Sequence, residues 1–122
     1  MDTKQVADKL VDYCRRGKSL EAVDTLYDKD IVSVEAMGSP EMPAEQRGID
    51  AIRQKHHWWY GNNEIHSSEV KGPFANGDKF AVLYNWDFTP KSGARKGQRT
   101  KMQEVGVYSL KNGKIVREEF FY

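Results

Sequence analysis

From Val6 to Tyr27 the apolar residues of this chain recur at helical spacing, and from Ile31 onward β-branched and alternating stretches take over. Val6, Leu10, Tyr13 and Cys14 form one stripe, with Thr3 placed as its N-cap. Arg15-Arg16-Gly17 closes that helix with the cations and glycine that suit a helix C-terminus. A second short helix starts at Ser19 and carries Leu20, Val23, Leu26 and Tyr27. Ile31 to Ala36 predicts a first strand, and Met37 to Arg47, with Gly38, Pro40 and Pro43, a loop. Gly48 opens a third helix that runs to Tyr60, with Ile49, Ile52, His56 and Trp59 on its inner stripe. Gly61-Asn62-Asn63 stops it, and four strands follow: 64–71, 79–89, 99–110 and 114–122. Asn76-Gly77-Asp78 and Asn112-Gly113 are tight turns, the second suited to a type I′ hairpin. Pro90 to Gln98 reads as a mobile polar loop. Helices first and antiparallel strands afterwards give an α+β fold rather than alternating βαβ units.

Composition narrows the class without choosing a function. A chain of 122 residues fits one domain, 1–122, and buries enough surface for one core. Lys and Arg number 19 against 18 Asp and Glu, a net charge of +1, which argues against a nucleic-acid partner. The lone Cys14 excludes an internal disulfide and a cysteine-rich zinc site. No apolar run approaches the ~20 residues of a membrane span, and Met1-Asp2-Thr3 is no signal peptide, so a cytoplasmic protein without a membrane partner is expected.

Several local motifs fall in a familiar order. Two N-terminal helices lead into Leu26-Tyr27-Asp28-Lys29-Asp30-Ile31, Gly48-Ile49-Asp50-Ala51-Ile52 starts the third helix, and Asn112-Gly113-Lys114-Ile115 makes the closing hairpin. Over essentially its whole length the chain resembles the SnoaL-like branch of the nuclear transport factor 2-like superfamily. The resemblance implies a cone: a curved antiparallel sheet wrapped around three helices, as in cystatin-like folds, with an apolar pocket at the wide end. It also implies a homodimer formed through the outer face of the sheet. The superfamily spans ketosteroid isomerase, scytalone dehydratase, polyketide cyclases, limonene epoxide hydrolase and nuclear transport factor 2, so the fold does not choose a function. One reading is a pocket for a small hydrophobic or aromatic molecule, with cofactor-independent isomerisation, cyclisation, dehydration or hydrolysis driven by a pocket carboxylate. The other is a non-catalytic ligand-binding or protein-interaction module.

Strand alternation assigns candidate faces. Phe80, Val82, Tyr84, Trp86 and Phe88 carry the bulk of one strand and are placed on the concave face, with Leu83, Asn85 and Asp87 outside. The resemblance turns Glu104 and Tyr108 inward on the next strand, and Glu118, Phe120 and Tyr122 inward on the last. It also places Glu35 where ketosteroid isomerase carries its general-base Asp. A carboxyl in an aromatic-lined cavity is pushed toward neutrality, as proton abstraction near pH 7 requires, and a second acid such as Glu104 or Glu118 then stays protonated to donate to an oxyanion. The plainer reading of Glu35 is a strand-end acid paired with a surface Lys or Arg, and that of Glu104 and Glu118 a structural network. Two departures count against steroid isomerisation: that enzyme's first-helix Tyr falls near Leu10 here, and its oxyanion-hole Asp near Gly106.

Glu35 and Glu104 are thus the candidate catalytic acids, with His56, Trp59, Tyr84, Trp86, Tyr108, Glu118 and Tyr122 as candidate ligand contacts. His56 can face inward together with Trp59, while His57 and Trp58 cannot join them. Trp59 also reads simply as core. His56, Tyr84 and Tyr108 imitate part of the His and Tyr set of scytalone dehydratase. His56, His57 and His66 lack the i,i+4 pairing or thiolate partner of a metal site, and no cofactor is called for. Arg95, Lys96, Arg99 and Lys101 form a basic patch around the 90–98 loop, either solvated or a lid that meets an anionic group. Cys14 reads as a small core residue.

Overall fold

The computed structural model describes residues 1–122. Helix α1 (Thr3–Arg15) begins one residue earlier than Thr3 would cap it. Asp2 is the cap: its Oδ1 accepts from the Gln5 backbone N–H at 2.8 Å, and its own N–H donates to Gln5 Oε1 at 3.0 Å. Both Asp and Thr can cap, and the reciprocal bond from Gln5 decides between them. The buried stripe is Val6, Ala7, Leu10 and Val11, with Tyr13 and Cys14 only partly covered. Helix α2 (Ser19–Leu26) buries Ala22, Val23 and Leu26 and stops there, so that Tyr27 opens the first strand instead of closing the helix.

Strand β1 (Tyr27–Val34) is followed by the short β2 (Glu45–Arg47) inside the segment read as loop, then by α3 (Ile49–Asn62). Strands β3 (Asn63–Asn76), β4 (Lys79–Pro90), β5 (Thr100–Lys111) and β6 (Lys114–Phe121) complete the chain. They make one six-stranded curved sheet in the order β2-β1-β6-β5-β4-β3. The α+β class and the sheet curved over three helices stand. The sheet is mixed, however, because β1 runs parallel to β6, while every other neighbour is antiparallel. The β5–β6 hairpin turns on Asn112 (φ 53°) and Gly113 (φ 75°), the two left-handed positions a type I′ turn needs.

Register decides which side chains meet. Tyr84 lies opposite Glu104, Phe80 opposite Tyr108, and Val82 opposite Gly106 across β4 and β5. Tyr108 then faces Glu118, and Gly106 faces Phe120, across β5 and β6. The parallel β1–β6 pairing sets Ser33 beside Glu118. In β3 an extra residue between Ile65 and Ser67 switches the parity, so Ile65 and Ser68 both fall on the inner face with Phe88 and Trp86. No helix is long and apolar enough to cross a membrane.

Gly106 is the one inner-face position where only a hydrogen fits. A Cβ there would lie 2.9 Å from Tyr108 Cε2, 3.0 Å from its hydroxyl oxygen and 3.1 Å from Phe120 Cε1. Tyr108 cannot yield easily, being 2% exposed and stacked on Phe80 at 4.8 Å between centroids. Gly106→Ala is therefore expected to destabilise the protein by about 1–3 kcal/mol in denaturant unfolding, the cost of overpacking.

Candidate functional site

The helices and the inner face of the sheet enclose a cavity of about 530 Å³, lined by 26 residues of which 16 are hydrophobic. That volume suits one small organic molecule. Leu10 and Cys14 come from α1, Lys55, His56, Trp58, Trp59 and Tyr60 from α3, and Tyr84, Trp86, Glu104, Tyr108, Glu118 and Phe120 from the sheet. Four of the seven exposed large hydrophobic side chains, Met37, Trp58, Tyr60 and Tyr122, are also among its lining. Exposed apolar mass gathered in this way belongs to a binding surface more often than to solvent.

All nine candidates named from the sequence line this one cavity. Trp58 joins them against expectation, because the helix turns it toward the opening even though it is 40% exposed. His57 does not. Of the two readings of the basic loop the solvated one fits: residues 91–99 are all exposed and none lines the cavity. The backbone N–H of Lys91 is tied to the Asn62 carbonyl at 2.8 Å, and Arg99 pairs with Asp87 at 2.9 Å on the outer face, so neither meets a ligand. Met37, Gly38, Ser39 and Met42, in the segment before β2, line the cavity instead.

Glu104 accepts a hydrogen bond from Trp86 Nε1–H at 2.9 Å and has no other side-chain partner. Burial raises its carboxyl to about 7; the indole donor and Lys55 oppose that rise, and Glu35 and Glu118 add to it. Glu35 lines the cavity and is also paired. It pairs with a lysine, Lys55 at 3.3 Å, but that lysine is 13% exposed and belongs to the cavity, not to the surface. Burial raises the Glu35 carboxyl and the Lys55 ammonium holds the rise down. Its Oε2 is enclosed and accepts no hydrogen bond. The backbone N–H of Glu35 bonds the Ala44 carbonyl at 2.8 Å, which fixes the residue just beyond the end of β1.

Glu118 is 1% exposed, and both of its oxygens are occupied. Tyr27 donates to one, and Ser33 donates to the other at 2.9 Å. Lys55 in turn donates to Ser33 Oγ at 2.8 Å and lies 4.8 Å from the centre of the Phe120 ring. Elsewhere the Tyr84 and Tyr108 hydroxyls are 2.6 Å apart, and His56 Nδ1 sits 3.3 Å from Ser19 Oγ. Burial lowers the His56 imidazole, which favours its neutral form. Burial pushes the Cys14 thiol up to about 11, which suits a packing residue and not a nucleophile. Trp59 packs edge-on against Trp86 at 5.6 Å and against Phe88 at 5.0 Å, so it is wall and packing together.

Sequence reasoning missed Lys55, Ser33 and Tyr27. Two signals were there to be read: Ile31, Ser33 and Glu35 alternate on one face of β1, and Lys55 lies three residues after Ile52 on the inner side of α3.

A family model of the SnoaL-like domain matches residues 1–122. The chain belongs to the SnoaL-like family. A candidate SnoaL-like polyketide cyclase from Mesorhizobium loti is 40% identical, with a TM-score of 0.92 and full coverage of both chains. A nuclear transport factor 2-like protein from Burkholderia thailandensis shares the fold at 19% identity and a TM-score of 0.82, covering 99% of this chain and 90% of its own. A candidate isomerase from Bacillus subtilis does so at 15% identity and 0.71, covering 97% and 84%. A search among curated proteins finds no match. The SnoaL-like fold is thus shared by proteins with different descriptions, and the chemistry has to be read from the side chains in this cavity.

The raised carboxyls carry a stability signature that needs no substrate. A carboxyl raised by folding stabilises the fold below the unfolded value of ~4.3 and loses that contribution as pH climbs through the folded value. For Glu104 the loss falls between that value and about 7. Glu104→Gln removes the effect, so the Tm of the variant should gain on that of the parent between pH 5 and pH 8. A Tm difference that is flat with pH would mean that Glu104 titrates normally.

Proposed function

We propose that this SnoaL-like protein binds an uncharged, largely aromatic small molecule and moves a proton on it without a cofactor, in the manner of an isomerase, cyclase or dehydratase. The observation that carries the reading is the pairing of two unlike carboxyls in one apolar cavity. Glu35 is held toward its charged form by Lys55, while Glu104 has only a neutral indole beside it and a carboxyl raised to about 7. Environments that separate two acids in this way assign a base and an acid.

In the proposed step Glu35 removes a proton from a carbon next to a carbonyl. The electron pair left behind becomes an enolate, whose oxygen takes a hydrogen bond from protonated Glu104. Returning the proton to a different carbon of the conjugated system completes an isomerisation. In a cyclisation the enolate carbon adds to a second carbonyl of the ligand and the proton passes from Glu35 to the alkoxide so formed. Either course restores both carboxyl groups. Tyr84 and Trp86, with near-parallel rings, and Trp59, edge-on to Trp86, form an aromatic wall for the ligand. His56, Tyr108 and Tyr122 orient its polar groups. The ligand is uncharged because Lys55 is the only Lys or Arg lining the cavity and is already committed to Ser33, Glu35 and the Phe120 face. The open volume favours this reading over an interaction module, for which aromatic side chains would fill the space. A homodimer through the outer face of the sheet and a cytoplasmic setting belong to the same proposal.

Exchange of the α-protons of 2-tetralone in D2O, followed by proton NMR, tests the step without the natural substrate. The protein is expected to accelerate exchange over buffer, and Glu35→Gln to lower that acceleration by about 10²–10⁴-fold. Exchange no faster than in buffer, or unchanged in Glu35→Gln, would contradict the assignment. 2-Naphthoate, an anion of similar shape, is expected not to compete.

A further inference from the structure

The cavity holds three carboxyl groups and one ammonium, and the ammonium is not free to choose among them. Lys55 Nζ donates to Ser33 Oγ at 2.8 Å, and Ser33 donates onward to Glu118 Oε1 at 2.9 Å. Tyr27 takes the second Glu118 oxygen. Ser33 and Glu118 are 0% and 1% exposed, and the parallel β1–β6 pairing fixes them side by side. A buried carboxylate with two hydroxyl donors and a cation one bond further on is compensated, whereas a bare one is not. The same lysine reaches Glu35 Oε1 at 3.3 Å. Each Glu118 oxygen thus already accepts one hydroxyl donor within this network.

We propose that Tyr27, Ser33 and Glu118 form a buried anchor that fixes the Lys55 ammonium against Glu35, and so decide which of the two cavity acids carries the charge. The proposal rests on the proton-transfer reading for its use but not for its test. Ser33 is the hinge of the arrangement because it is acceptor for one partner and donor to the other. Without its hydroxyl, Glu118 loses a donor and its bare charge draws Lys55 inward, away from Glu35. The charged and titratable groups that act on Glu35 are Lys55 from α3, Glu104 from β5, and Glu118 and Tyr122 from β6. Lys55 is the only cation among them. Loss of its contact therefore moves Glu35 up, toward the titration of Glu104.

The experiment is a carboxyl-carbon NMR titration of the ligand-free protein and its Ser33→Ala, Ser33→Cys and Ser33→Thr variants. Ser33→Ala is expected to raise the Glu35 titration, and Ser33→Thr, which keeps the hydroxyl, to return it toward the parent. Ser33→Cys keeps the volume of the side chain with much weaker hydrogen bonding, and so reads the same effect should the alanine variant not fold. An unmoved Glu35 overturns the proposal, because a purely structural serine would leave it so. A lowered Glu35 also overturns it, because Lys55 would then have been held back from Glu35 by the anchor. Since no turnover is involved, failure here leaves the 2-tetralone result standing, and failure there leaves this one.

Discussion

Three carboxyl groups and a single ammonium share an enclosed, mostly apolar space, and the low polarity of that space makes each uncompensated charge costly. Lys55 can offset one charge well and a second only through Ser33. Glu118 takes the relayed share together with the Tyr27 hydroxyl, and Glu35 takes the direct one. Glu104 is left with an indole N–H, and burial raises its carboxyl to about 7. The unlike environments of Glu35 and Glu104 thus follow from a shortage of cations, and no special property of either residue is needed.

The fold serves this arrangement by bringing five separate elements to one place. Ser33 and Glu35 come from β1 and its exit, Lys55 from α3, Trp86 from β4, Glu104 from β5 and Glu118 from β6. The parallel edge between β1 and β6 joins the first half of the chain to the last, and without it Ser33 and Glu118 would not be neighbours. Gly106 belongs to the same design in a different way. The absence of a side chain there lets Tyr108 and Phe120 close over it, which builds the aromatic wall under Lys55 and presents the Tyr108 hydroxyl to Tyr84.

Local signals carried much of this into the sequence. Helical spacing located α1, α2 and α3, and strict alternation in β4 separated the cavity side from the outer side, because both depend only on near neighbours. The N-cap went to Thr3 rather than Asp2 because the deciding bond comes from Gln5, which a residue-type preference does not weigh. The parallel pairing, the bulge in β3 and the Glu35–Lys55 pair were not legible, since each is set by residues far apart in the chain. The basic loop was left between two readings for a related reason. Charge and glycine content showed that the 90–98 segment is exposed but not where it lies, and Asn62 and Asp87 tie it away from the opening that Met37 and Met42 help to line.

Membership of the SnoaL-like family goes with the curved sheet and its cavity, and the proposed chemistry rests on the unlike acids inside it. The central claim is that the two cavity acids titrate apart, with Glu104 holding its proton to higher pH than Glu35. The most direct test is a carboxyl-carbon titration of the unmodified chain with its glutamates labelled, resonances assigned by single Glu→Gln replacements, followed from pH 3 to pH 9. The account predicts that Glu104 titrates near 7, with Glu35 below it and still above an exposed carboxyl. Both acids titrating together in the ordinary carboxylate range would contradict it, and the cavity would then be a binding site with no base or acid of its own.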